Sequence, residues 1–326
     1  VTQKVPWYRE RSQYTDIYEK HILRALINST IHDVSIKEDI GYDAVRGIID
    51  RNIGKQVKWN EIRYIGTIGI DEISLKKGHG DFVTVVTSLS EEGTKILSVL
   101  SGRKKRTVGK FFKSIPKRLK KTVRSVCCDM YDGYISAAKE VFGKNVIITV
   151  DRFHVAKMYG KCLDNVRKRE MVRLKKELPE KEYEKMKGVM HALRKKDADL
   201  TPEEREILKT VFGYSEILKT VYEFCDDLTY IFDRKISKEK ALREIESWKE
   251  MTEIYDLNCF EKFIKTLNKY EEEIANYFIR RQTSGFVEGL NNKIKVIKRR
   301  CYGILNVTSL FQRIHIDLEG YYSFAG

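Results

Sequence analysis

The sequence predicts an α/β fold: a mixed five-stranded sheet with a large all-helical insertion, preceded by a small N-terminal helical module of helix-turn-helix outline. Three observations point there. Five apolar runs rich in β-branched residues fall between residues 64 and 155. From Ala156 to about Arg280 the chain is charged and helical in period, with Gly160, Gly188 and Gly213 as its glycines. The stretch 14–53 reads as short amphipathic helices around a Gly41-Tyr42 break.

In order, the N-terminal helices are expected at Tyr14–Ile27, about Thr30–Ile40 and Asp43–Ile53. Helix, helix, Gly turn and helix is a helix-turn-helix outline, although Arg46 and Arg51 are the last helix's cations. YIGTIGIDEI (64–73) and DFVTVVTSL (81–89) then read as strands joined by a turn with Gly78 and Gly80, and KILSVLSG (95–102) as a third. An amphipathic segment, Thr107–Ile115, precedes the apolar run VRSVCCDM (123–130). A helix at Tyr134–Phe142 leads to NVIITVDRFHV (145–155), a buried-type strand. The order β-β-β-α-β-α-β, three strands that meander and two reached by crossovers, is that of a ribonuclease-H-like sheet. In the insertion, Pro179 and Pro202 stand where helices start or stop. The expected domains are 1–60, a DNA-binding module; 61–155, the first part of the core; 156–280, the insertion; and 281–326, the last part of the core.

That last part holds the segment TSGFVEGLNNKIKVIKRRCY (283–302). Thr283, Ser284 and Gly285 supply helix-start chemistry. Val287, Leu290, Ile294, Ile297 and Cys301 form an apolar stripe, and off it lie Glu288, Asn291, Asn292, Lys295 and Arg299. One carboxylate among amides and cations suits a metal ion on a phosphate backbone better than it suits a core.

The net charge of +15 favours a polyanion, nucleic acid or an acidic membrane surface. No apolar run reaches bilayer length, the N-terminus has no signal-peptide core, and no basic amphipathic helix carries aromatic anchors. Nucleic acid is therefore the expected partner, with no membrane, in the cytoplasm or bacterial nucleoid. Cys127, Cys128, Cys162, Cys225, Cys259 and Cys301 have neither disulfide-framework nor zinc spacing, so reduced thiols are expected.

Asp71 ends the strand TIGID and Asp129 ends SVCCD, where burial would normally exclude an acid. In the predicted order these strands are adjacent and central, so the carboxylates converge, and Glu288 on the returning helix can join them. Three carboxylates around one point on a basic protein fit two Mg²⁺ or Mn²⁺ ions serving phosphodiester chemistry. Glu72 faces away from Asp71 if the strand continues. Asp81 competes for the same role, and Asp132 sits in a turn. Asp151, with His154 three residues on, is expected at a helix start, supporting the site from behind.

Together GIDE (69–72), CDMYDGY (128–134), VDRFHV (150–155) and SGFVEGLNNKIKVIKRRCYG (284–303) make the chain resemble the DDE transposases of bacterial insertion sequences, of the ISL-type ("L three") family. The similarity runs from about Tyr14 to the C-terminus. It implies a ribonuclease-H-like catalytic core with a helical insertion and the triad Asp71, Asp129 and Glu288. It also implies double-stranded DNA partners, both element terminal repeats and target DNA, synapsed by a homodimer. Members of that family carry an N-terminal cysteine-containing zinc module, whereas the first cysteine here is Cys127; the module is expected to be missing from this chain.

Between Gly93 and Cys128 there is no acid, while Arg103, Lys104, Lys105 and Arg106 open a run of cations that continues to Arg124. These residues are expected to position DNA through its phosphates. Asn292, Lys293, Lys295, Lys298, Arg299 and Arg300 are expected to hold the strand being cut. Trp248 reads as core, or as a platform for an unpaired base. The expected activity is metal-dependent strand cleavage at element ends followed by strand transfer. A stand-alone nuclease of the same fold, or a non-catalytic DNA-binding regulator, is the alternative.

Overall fold

The structure, a computed structural model, describes residues 7, 12–75, 82–91, 93–281, 285–304 and 306–324, with 285–288 as backbone alone. In chain order the elements are α1 (Asp16–Leu26), α2 (Ile31–Lys37), α3 (Tyr42–Asn52), β1 (Gly66–Ser74), β2 (Phe82–Ser90), β3 (Gly93–Ser101), α4 (Lys105–Ser114), α5 (Lys117–Lys120), β4 (Val123–Cys128), α6 (Asp132–Phe142) and β5 (Ile147–Val150). Helices follow to the end: α7 (Arg152–Glu177), α8 (Glu180–Glu184), α9 (Val189–Ala192), α10 (Pro202–Tyr214), α11 (Glu216–Asp233), α12 (Lys238–Ile254), α13 (Glu261–Lys269), α14 (Glu271–Ala275), α15 (Tyr277–Arg280), α16 (Gly285–Arg300) and α17 (Val307–Ser323). The five strands lie in the order β3-β2-β1-β4-β5. This is the mixed, ribonuclease-H-like sheet that the run of strands predicts. The segment joining β1 to β2, with Gly78, Gly80 and Asp81, lies outside the described residues, as do Thr283 and Ser284.

Two compact units divide the chain: 1–146 with 284–326, and 147–283. In the first, β1 pairs antiparallel with β2 and parallel with β4, and β2 pairs antiparallel with β3. Because β1 is central, Ile68 and Ile70 are fully buried, and the strand becomes half-exposed at Asp71 and Glu72. Leu290, Ile294 and Ile297 of α16 and Leu310, Phe311 and Ile314 of α17 pack with Ile73, Val83, Val85, Ile96 and Val99 of the sheet. Each such side chain contributes about 1.5–3 kcal/mol on burial.

Further along, Ile316 of α17 and Phe324 just past its end join a second core with Ile22, Leu23, Leu26, Val45, Ile48 and Ile49 of α1 and α3. The last helix thus carries both the sheet and the N-terminal module. The approach to α1 is close: a Cβ on Gly320 would lie 2.9 Å from the Ile27 side chain, so glycine is needed there. The module itself is tied by Glu19, 1% exposed, which accepts from Arg51 at 2.6 Å and from Asn52 at 2.7 Å.

The second unit is β5 followed by helices. The strand is shorter than the sequence run suggests, because Asp151 ends it by capping α7: its carboxylate accepts from the Phe153 amide at 3.1 Å. Thr201 and Glu204 form a capping box on α10 with Pro202 in its first turn, and Ser215 and Ser237 cap α11 and α12. Trp248 is core. It is 5% exposed, meets Phe224, Phe260 and Phe263, and donates its Nε1–H to the Phe224 carbonyl at 2.8 Å. None of the described helices is long and apolar enough to cross a membrane.

Candidate active site

The register of β1 against β4 builds the site. Gly69 stands opposite Cys127 in a parallel pair. Asp71 and Asp129 each follow two residues later, just past the end of the β1–β4 pairing; β4 stops at Cys128, while β1 runs on to Ser74 against β2. A carboxylate oxygen of one lies within 4.8 Å of one of the other. Both groups are half-buried. Two carboxylates this close repel each other unless a cation or a shared proton intervenes.

Asp71 is held from two sides. Its Oδ1 accepts from the Glu72 amide at 2.6 Å, and its Oδ2 accepts from Nδ2 of Asn291 on α16. Asn291 is 4% exposed, and its own Oδ1 is buried without a hydrogen-bond partner among the described residues. Position 288 lies one helical turn before Asn291, and residues three apart share a helix face. The Glu288 side chain is outside the described residues, as is that of Val287. Asn291, which the sequence offers only as an amide off the apolar stripe beside Glu288, is a contact to Asp71 that the expected site did not include. The signal was its three-residue spacing from Glu288.

Glu72 leaves the site on the opposite side of β1. The Tyr134 hydroxyl donates to its Oε1 at 2.8 Å and also meets the Thr84 hydroxyl at 3.1 Å. Arg103 lies 3.4 Å from Glu72 and over the Tyr131 ring at 5.3 Å. Burial pushes the Tyr134 phenol well above its ordinary range; the Thr84 bond opposes this, and Glu72 and Asp129 add to it. Tyr134 is therefore a neutral donor that fixes Glu72. Asp132 is exposed in the first turn of α6, where a carboxylate suits the helix dipole. Asp151 is the buried cap of α7, and His154 sits half-buried in that helix's first turn.

The cations sort by what they touch. Arg103, Lys104, Lys105 and Arg106 are exposed around the start of α4. Lys105 pairs with Glu140 at 3.3 Å and Lys113 with the same group at 2.7 Å, and these two contacts draw the Glu140 carboxyl below its ordinary value. Arg118 donates to the carbonyls of Ile62 and Trp59. On α16, Asn292, Lys293, Lys295 and Arg299 are exposed. Lys298 instead donates to the Ser74 carbonyl at 2.7 Å, and burial pushes its ammonium down from the usual lysine value. Arg300 pairs with Asp317 at 3.2 Å.

Comparison with known proteins gives the family. A family model described as a transposase, of the DDE type and ISL3 group, matches residues 68–314. A second, the helix-turn-helix domain of transposase family ISL3, matches residues 3–51. The chain is similar to the transposase for insertion sequence element IS1001 of Bordetella parapertussis, 25% identical over 98% of this chain and 77% of that protein. It is also similar to the transposase for insertion sequence element IS1557 of Mycobacterium tuberculosis, 21% identical over 97% of this chain and 74% of that one.

Proposed function

The chain belongs to the ISL3 family of DDE transposases, and from that premise we propose that this insertion-sequence transposase cuts and joins DNA strands at Asp71, Asp129 and Glu288. The observation that carries the proposal is the register that sets Asp71 beside Asp129, with α16 docked on Asp71 through Asn291. The donors are hard oxygens: two carboxylates and the proposed third on Glu288. That set fits Mg²⁺ or Mn²⁺. A pair of such ions, when bound, would activate the attacking oxygen and stabilise the leaving oxygen of an in-line phosphodiester displacement.

This chain's own residues do the rest. Asn291 and the Glu72 amide fix the orientation of Asp71, so that neither oxygen must reorganise on binding. Asp151 and His154 are proposed as supporting groups. Arg103, Lys104, Lys105 and Arg106, with Asn292, Lys295 and Arg299, are proposed to grip phosphates, and the N-terminal module to bind the element's terminal repeats. The Lys298 and Arg300 contacts argue for a second duty, anchoring α16 to β1 and α17. A homodimer would bring two ends together, in the cytoplasm at the nucleoid.

A labelled duplex carrying an element end, incubated with Mg²⁺ and a target plasmid, tests this. The proposal expects cleavage and then joined product. Cleavage without joining would support a stand-alone nuclease, and binding without cleavage a regulator.

A further inference from the structure

The helical unit holds a cleft of about 730 Å³ between α7, the segment at Leu193–Lys196 and α11. That size suits a ligand of nucleotide dimensions. Phe153, Lys157 and Lys161 recur at four-residue steps along α7 and so form one stripe facing the cleft. Phe153 is 54% exposed, an unusual place for a large aromatic that opens a helix. The lining includes six cations against two carboxylates, Asp164 and Asp226. Arg152, Lys195 and Lys196 are tied to Asp233 and Glu204, and Asp164 is held by Arg167 and Lys168. Among the described residues Lys157 and Lys161 have no ion-pair partner, so their charge is available. Across the cleft on α11, the Tyr222 hydroxyl is buried and has no hydrogen-bond partner among the described residues.

An exposed aromatic face, unneutralised ammonium groups at one helical spacing and an orphaned hydroxyl are complementary to a stacked base, its flanking phosphates and a base edge. We propose that this cleft seats one unpaired nucleotide of a DNA strand, its base on Phe153, its phosphates on Lys157 and Lys161, and its base edge at Tyr222. The proposal rests on the transposase function, which supplies strand ends and locally unpaired DNA. Duplex DNA does not fit it, because a paired base cannot reach the ring.

The test uses the full chain and a fluorescein-labelled single strand of mixed sequence, with a matched strand carrying one abasic site. A 5-iodouracil version maps contacts by photocrosslinking and peptide mass spectrometry. Crosslinks to peptides of α7 and α11 are expected. Phe153→Ala should weaken single-strand binding roughly tenfold and make it insensitive to the abasic site. The pair Lys157→Gln and Lys161→Gln should weaken it and flatten its salt dependence, and Lys157→Arg with Lys161→Arg should restore it. All these side chains are exposed, so the fold should persist, which circular dichroism checks.

Crosslinks mapping elsewhere, or a Phe153→Ala variant with unchanged affinity and an unchanged abasic penalty, would overturn the proposal. Cleavage of an element end by the parent reports separately on the transposase chemistry. If the parent cuts while crosslinks map elsewhere, the cleft alone is refuted. If crosslinks map to the cleft while nothing is cut, the cleft stands and the catalytic reading falls.

Discussion

Asn291 of α16 donates its side-chain N–H to Oδ2 of Asp71 on β1, a bond that joins residues 220 positions apart. It fixes the returning helix to the first carboxylate and sets position 288 one turn away on the same face. Since Asn291 orients a proposed ligand without being one, Asn291→Ala should lower strand cleavage about 10–100-fold. The Mg²⁺ needed for half-maximal cleavage should rise, while DNA affinity holds. Titration of cleavage against Mg²⁺ checks this; an unchanged curve would make the bond a packing contact.

Lys104 and Arg106 are exposed and, among the described residues, have no ion-pair partner. Each is expected to displace one counterion from DNA. Lys104→Gln with Arg106→Gln should therefore reduce the slope of log K against log salt by roughly 0.9 per residue, equally on specific and random duplexes. Lys105, already paired with Glu140, should change the slope less. Fluorescence anisotropy over a range of salt concentrations measures it.

Glu19 is a buried charge held by Arg51, whose own side chain is 43% exposed. Arg51→Ala should destabilise the chain by roughly 3 kcal/mol, the low end for breaking a buried pair, because water reaches Arg51 and Asn52 still donates. Glu19→Gln with Arg51→Ala should recover part of that loss. Urea denaturation of the single and double variants measures both.

Several carboxylates in the helical unit sit below their ordinary values, among them Asp164, Glu170 and Asp233. Lys168 and Arg167 lower Asp164. Burial pushes Glu170 up but Arg173 and Ser215 outweigh it; burial likewise opposes Lys196 and Arg152 at Asp233, and again the partners prevail. A depressed folded pKa stabilises the native state above the ordinary range, and that stability is lost as pH falls through the folded values. Stability should thus drop below about pH 4, and Glu170→Gln should reduce the drop. Urea midpoints from neutral pH downward test it; identical slopes for parent and variant would contradict it.

How much of this was legible follows from the physics of each element. The β-branched runs gave the five strands and their order, because a central strand buried on both faces must be apolar along its length, as Ile68 and Ile70 are. Asp71 and Asp129 stood out as acids ending such runs. Asn291 did not, because an amide on a helix reads as surface until the partner 220 residues away is known. Charge alone could not separate Lys104 from Lys105, since Glu140 reaches the latter from another helix. Nor could it show that Lys298 turns inward to the Ser74 carbonyl. The strand before Asp151 looked longer than it is, because VDRFHV is apolar enough for a strand and its aspartate serves as a helix cap.

The most direct test of the central claim is cleavage of a labelled element-end duplex with Mg²⁺, comparing the parent with Glu288→Gln. That substitution keeps the side chain's shape and removes its charge. The proposed triad predicts equal DNA binding and loss of cleavage. Equal cleavage by the two would remove Glu288 from the site and leave α16 as a DNA-facing basic surface.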